Sequence, residues 1–256
     1  MKEKKCNLNL ILYELRNING NFYVHFFGMV FPVLMSVIFA KVYGNQVPEA
    51  IRLEVVTSVA IGMSMMCPMS VVLIGYAANY SQEVEKGVPL RMRLFGYQEK
   101  SMILAKLIAQ LIFLTIALIV YGVAEVLFID MLKPAISSLF CLVGCLYLLA
   151  IIFFVMAHAI AELLKKFGPT YAVSMGLYFG FMILCGMMGI STSQLPKALQ
   201  VVSRTLPMSY IGNDFVDFWQ GGSYNFVPLI QSFLFMGAVS GILLIFSVYK
   251  NKRVVN

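Results

Sequence analysis

The chain has 256 residues; 60% are apolar and only 12% are charged, against roughly 25% charged in an ordinary soluble domain. With a mean hydropathy of +0.84, too little polar surface is left for a soluble enzyme, a nucleic-acid-binding domain or a disordered chain. The net charge of +7 then reads as basic residues gathered in cytoplasmic segments rather than as a polyanion-binding face, so no nucleic-acid partner is expected.

The five cysteines, Cys6, Cys67, Cys141, Cys145 and Cys185, are odd in number and mostly sit in apolar runs, so they imply no disulfide framework. Residues 1–21 are polar and contain no apolar region of the signal-peptide kind, so the first long apolar run is expected to stay as a membrane anchor.

In chain order, the leader comes first. Leu8, Ile11, Leu12, Leu15 and Ile18 recur at helical spacing, while Asn7, Asn9, Glu14, Arg16 and Asn17 are polar. This predicts an interfacial helix along the inner leaflet, the alternative being a plain topogenic leader. Six runs follow that are long enough to cross a bilayer: Phe22–Tyr43, Val55–Ala78, Ser101–Phe128, Ser137–Ala161, Thr170–Ile190 and Phe226–Tyr249, each close to the ~20 apolar residues required. Pro32 and Pro68 fall inside the first two runs and are expected to kink them. With the N-terminus inside, 14 of the 19 Lys and Arg residues lie on the cytoplasmic side and 5 outside, so both termini are expected in the cytoplasm. The expected organisation is an all-α membrane protein: a leader over residues 1–21 and a six-span domain over 22–256.

Between the second and third spans, residues 79–100 form a longer connection than a tight turn needs. Acidic residues come first (Glu83, Glu85), then Lys86 and Gly87, then Arg91 and Arg93 alternating with large apolar side chains. A short helix over about Leu90–Phe95 would make a knob for a cytoplasmic partner, and a solvated basic loop is the other reading. After the fifth span, residues 191–225 form a long outer segment carrying Pro196, Pro207, Tyr210, Trp219 and Tyr224. It reads as short helices on, or dipping into, the outer interface, with Trp219, Tyr210 and Tyr224 at headgroup level.

The stretch Glu83-x-Glu85-Lys86-Gly87, with Arg91 after it and a helix opening near Ser101, resembles the loop after the second span of ABC-2-type permeases, the membrane subunits of bacterial ABC exporters. The leader running into a span with Pro32 about ten residues in is similar to that family. So is the late segment Leu195-Pro196, Leu199-Gln200, Leu206-Pro207-x-x-Tyr210 and Trp219. The chain departs from the family at Val88-Pro89, where a Thr-led run is commoner. The resemblance implies that Glu83, Glu85, Lys86, Gly87, Arg91 and Arg93 contact a separate cytoplasmic ATPase subunit, with a second permease subunit, identical or related, completing the transporter. It also implies a multi-pass protein of the bacterial cell membrane, surrounded by lipid, that exports an amphipathic drug or antimicrobial peptide. Alternatives are a polysaccharide or lipid-linked glycan permease and a non-transporting scaffold or sensor.

No G-x-x-x-x-G-K-[ST] motif occurs, so no cofactor is expected on this chain, and ATP with Mg belongs on the partner. Ser36, Ser64, Ser70 and Ser174 lack a buried histidine to pair with and no H-E-x-x-H occurs, which speaks against an intramembrane protease. No carboxylate sits convincingly at a span midplane, as ion-coupled carriers require. Glu125 reads as an interface residue reaching water, with contact to a cationic substrate group or span packing as other roles. His158 and Glu162 read as a solvated helix end, too few ligands for a metal. Met63, Met65, Met66 and Met69 read as core or as the lining of an adaptable apolar cavity. Gly176-x-x-x-Gly180 and Gly237-x-x-x-Gly241 permit close helix approach.

Overall fold

The computed structural model describes residues 5–188 and 192–255; it is 83% helical, with no strand among the described residues. The leader is helix α1 (Leu8–Asn19), opened by Asn7, whose side chain accepts from the Leu10 N–H. Six helices long and apolar enough to cross a membrane follow: α2 (Phe26–Gly44), α3 (Glu49–Glu85), α5 (Glu99–Phe128), α6 (Ile136–Leu164), α7 (Phe167–Leu184) and α10 (Phe226–Asn251). A short helix α4 (Val88–Leu94) joins the second and third spans, and α8 (Lys197–Ser203) and α9 (Pro207–Trp219) precede the last. Tyr13 of the leader and Asn251 near the C-terminus line the same cleft, so both chain ends meet at one end of the bundle.

The second span differs most from its expected limits. It continues as helix to Glu85 and covers 37 residues, roughly 55 Å at 1.5 Å per residue and well beyond the ~30 Å hydrocarbon core. Ser81–Glu85, expected in a connection, are therefore its helical extension. This span is also the centre of the bundle, its most apolar window being 89% buried. Met63, Met65, Met66 and Met69 all belong to the main core.

Each of the two prolines expected to kink its span borders a π segment. A proline has no N–H to give to the preceding turn. Ahead of Pro32 the backbone widens over Phe26–Val30, and the Phe31 N–H reaches back to the Phe26 carbonyl. After Pro68 the π segment runs over Met69–Tyr76, with every one of its residues buried. The two widened stretches face each other. Glycine is required there: a Cβ on Gly28 would meet Val71 Cγ2 at 2.8 Å, and one on Gly75 would meet Val24 Cγ2 at 3.2 Å. Gly176 and Gly180, by contrast, face open space, and Gly237 meets only Ile152 Cδ1, at 3.9 Å.

The fifth span ends at Leu184, followed by Gly186 at φ 78°; its expected end at Ile190, and Ser191 after it, lie outside the described residues.

Because Val71 is β-branched and cannot swing away, Gly28→Ala should overpack this crossing and destabilise the bundle by about 1–3 kcal/mol. Thermal unfolding in detergent should show a clear drop for Gly28→Ala and none for Gly176→Ala.

Candidate coupling surface

The connection between the second and third spans is a helix–glycine–helix–glycine–helix run. Gly87, at φ 70°, turns the chain out of α3 and into α4, a left-handed conformation other residues adopt with strain. Pro89 sits in the first turn of α4, where its fixed φ suits the helix and its missing N–H has no partner to lose. Gly96, at φ 88°, turns the chain again into the third span. The helix found over Val88–Leu94 answers the expected helix at Leu90–Phe95 and starts earlier.

No residue of α4 is buried. Leu90, Leu94 and Phe95 are 58%, 71% and 65% exposed, an apolar edge beside two guanidinium groups. Arg91 donates from Nη2 to the Lys86 carbonyl at 2.5 Å, which ties the helix to its own entry turn. Arg93 lies 3.6 Å from Glu99, with both side chains more than half exposed, a pair that adds little stability.

The two acidic residues of the predicted motif face elsewhere. Glu85 points its carboxylate at the start of the fifth span, where Oε2 accepts from the Phe167 N–H at 3.0 Å. An anion there satisfies a free helix-start donor and the positive end of the helix dipole. Glu83 is turned into the protein and is only 8% exposed. Its Oε2 lies 2.6 Å from Lys106 Nζ, and its Oε1 accepts from Asn17 Nδ2 at 2.5 Å. Lys106 also holds Glu14 of the leader at 2.7 Å. Sequence reasoning expected Glu83 among the outward contacts. The structure makes it instead the buried joint between the leader, the second span and the third.

This joint fixes which face of α1 meets the bundle. Leu10, Glu14 and Ile18 are its buried residues, whereas Leu8 and Leu12 are exposed. The available signal was Lys106, an ammonium well inside an apolar run, which requires a partner. Burial pushes the Glu14 carboxyl above the usual carboxylate range; Lys106 opposes the shift and Glu83 adds to it.

An open cleft of about 610 Å³ lies under α4, lined among others by Tyr13, Met92, Lys106, Glu162, Lys165 and Asn251. Around it a polar network replaces the expected solvated helix end. Tyr80 donates to Glu162, and Asn251 Nδ2 donates to the other oxygen of Glu162 at 2.8 Å. His158 is buried, with Nδ1 2.8 Å from the Tyr76 hydroxyl. Lys106 stands 5.8 Å over the Tyr80 ring and links this network to the triad.

At the opposite end, Pro196 and Pro207 each start a helix, α8 and α9. Tyr210 donates to the Arg204 carbonyl at 2.8 Å, and Tyr224 donates to the Tyr210 carbonyl at 3.3 Å. Trp219, expected at headgroup level, is 4% exposed. Its indole donates to the Leu132 carbonyl at 2.9 Å, and its own carbonyl accepts from Ala135 N–H at 2.8 Å. Trp219 therefore pins the connection between the third and fourth spans, with its ring covered by protein.

Replacing Lys106 by Met leaves Glu14 and Glu83 facing each other without a cation. Unfolding in detergent should then lose about 3–5 kcal/mol, and adding Glu14→Gln with Glu83→Gln should recover most of it. The triad has two carboxylates and one ammonium, with Tyr13 alongside. A group whose pKa is raised by folding stabilises the fold fully below its unfolded value and loses that contribution as pH rises through the folded one. Hydrogen-exchange protection of α1 should therefore be greatest on the acid side and fall through the raised Glu14 range, a fall that Glu14→Gln should flatten.

The comparisons with known proteins bear on this arrangement. No curated protein and no solved structure matches the chain. The family described as ABC-2 type transporter matches residues 9–217, a stretch that takes in the leader, the triad, α4 and nearly all of α9. On that match, the chain belongs to the ABC-2 type transporter family.

Proposed function

We propose that this chain is the permease subunit of an ATP-driven exporter, with both termini in the cytoplasm of a bacterial cell and α4 as the docking helix for a separate ATPase subunit. The observation that carries the reading is α4 itself: an exposed helix with no buried residue, presenting Leu90, Leu94 and Phe95 beside Arg91 and Arg93. An unburied apolar edge at the end of a bundle is a docking feature rather than a packing one. The bias of 14 against 5 in Lys and Arg supports a cytoplasmic position for that end. The chain has no P-loop, so ATP and Mg act on the partner.

In this reading Leu90, Leu94 and Phe95 enter a pocket on the ATPase, while Arg91 and Arg93 meet its carboxylates. Lys86 and Gly87 shape the turn that aims the helix. Glu85 holds the turn against the fifth span and Glu83 holds it against the leader. Closure of the ATPase pair on ATP pushes α4, and the triad carries that push into the leader and the second and third spans together. The membrane subunits, this chain and a second copy or related permease, alternate between inward and outward access. An amphipathic cargo of drug or antimicrobial-peptide type leaves past α8 and α9.

The test is co-purification of the tagged full-length chain from its native host. A P-loop ATPase should accompany it in stoichiometric amount. Arg91→Glu should reduce that ATPase at least tenfold and abolish export, while membrane levels of the chain stay unchanged. Export at the wild-type rate in Arg91→Glu would remove α4 from the coupling path.

A further inference from the structure

Glu125 lies in the last turn of the third span, near the end of the bundle away from the termini. It is 3% exposed, and neither carboxyl oxygen has a hydrogen-bond partner. The expectation of an interface residue reaching water is therefore corrected. Its surroundings are oxygen-rich. The Ser36 hydroxyl from the first span and the Tyr121 hydroxyl from the third adjoin the carboxyl. The Tyr121 hydroxyl directs its proton at the Ala60 carbonyl of the second span, 2.7 Å away, with Ser36 Oγ at 3.1 Å. The nearby Cys67 thiol is buried.

Two features make this arrangement incomplete as it stands. A carboxylate removed from water without a partner is strongly unfavourable. The last turn of a helix also carries the negative end of its dipole, which repels an anion and attracts a cation. Either a proton on Glu125 or one positive charge placed against it relieves both. The donors are hard oxygens from three spans, namely the Glu125 carboxylate, Ser36 Oγ, Tyr121 Oη and the Ala60 carbonyl, which suit an alkali cation or an ammonium rather than a transition metal. No group of three or more His, Cys, Asp or Glu residues able to hold a metal occurs among the described residues.

We propose that Glu125, Ser36, Tyr121 and the Ala60 carbonyl form a binding site for a single positive charge, supplied by a small alkali cation or by a primary ammonium group. The site joins the first three spans at the far end of the bundle from the Lys106 triad. It stands independently of any ATPase partner, so its failure would leave the exporter reading untouched.

The experiment is thermal unfolding of the purified full-length chain in detergent at fixed pH and ionic strength. Sodium, potassium or methylammonium chloride replaces choline chloride, whose bulky cation has no N–H to offer. The unfolding midpoint should rise saturably, by roughly 5 °C at a hundredfold excess over half-saturation. Glu125→Gln should abolish the rise, and Ser36→Ala should move half-saturation to several-fold higher concentration. A response to sodium or potassium assigns the site to a free cation; a response to methylammonium alone assigns it to an ammonium group on a larger molecule. A flat wild-type series overturns the proposal even if Glu125→Gln does not fold. A rise that survives Glu125→Gln, or a midpoint that follows pH and ignores every cation, also overturns it.

Discussion

Two carboxylates from different parts of the chain converge on the Lys106 ammonium, and the end of the bundle that carries the termini is organised around that meeting. Glu14 comes from a surface helix, Glu83 from the extension of the second span, and Lys106 from the start of the third. All three are under 10% exposed. A buried pair of this kind is poor evidence for net stability, since apolar replacements of similar shape often do as well. Its value is geometric. A salt bridge has direction and partner identity, which an apolar contact between a leader helix and a lipid-facing span lacks. Asn17 adds a further bond to Glu83 from the same leader, so α1 is held in position along the bundle and in rotation about its own axis.

The length of the second span follows from the same joint. A helix that only crossed the hydrocarbon core would stop near Ala78, the limit that hydropathy suggests. Glu83 must reach Lys106 and Glu85 must reach the Phe167 N–H, and both need the helix to continue rigidly into the polar region. Only after those contacts does the chain turn, at Gly87. The short helix α4 therefore stands on a braced support, fixed by Glu85 to the fifth span and by Glu83 to the leader and the third.

The six spans, the leader helix and the short helix between the second and third spans were legible because each is written in local composition: apolar runs of sufficient length, helical spacing of leucines, and a glycine ahead of basic and apolar residues. What escaped depends on residues far apart. Glu83 pairs 23 positions away and Lys106 pairs 92 positions away, and a hydropathy window treats each as one more charge at a span end. The leader's helical spacing was legible, but not that Glu14 on its polar side has a buried partner in Lys106. Trp219 was assigned by the general habit of tryptophan at interfaces, whereas its indole had a specific acceptor in the Leu132 carbonyl. Glu125 was placed near water because it stood near a span end; Ser36, which adjoins it from the first span, cannot be seen along one helix.

The two ends of the bundle are fastened by different means, and the middle of the second span lies between them. Near the termini the fastening is ionic. At the other end it is a set of backbone-directed hydrogen bonds: Trp219 to Leu132, Ser138 to the Phe218 carbonyl, and the Leu132 N–H to Thr57. Between these clamps the second span contains Pro68 and the π segment Met69–Tyr76, where regular i to i−4 bonding is given up. Glu83 and Glu85 tie the lower part of this helix to its neighbours, while the upper part has α9 packed against it. The widened stretch between them is the part whose backbone bonding departs from the i to i−4 pattern. It is packed by Met66 and Met69 and by the glycine contacts Gly28–Val71 and Gly75–Val24. Flexible thioethers can refill space as a helix changes pitch, whereas the glycine crossings keep the first and second spans in register. The sequence thus places its methionines and its proline between the two clamps of the second span, and its charges at the joint that fixes the leader.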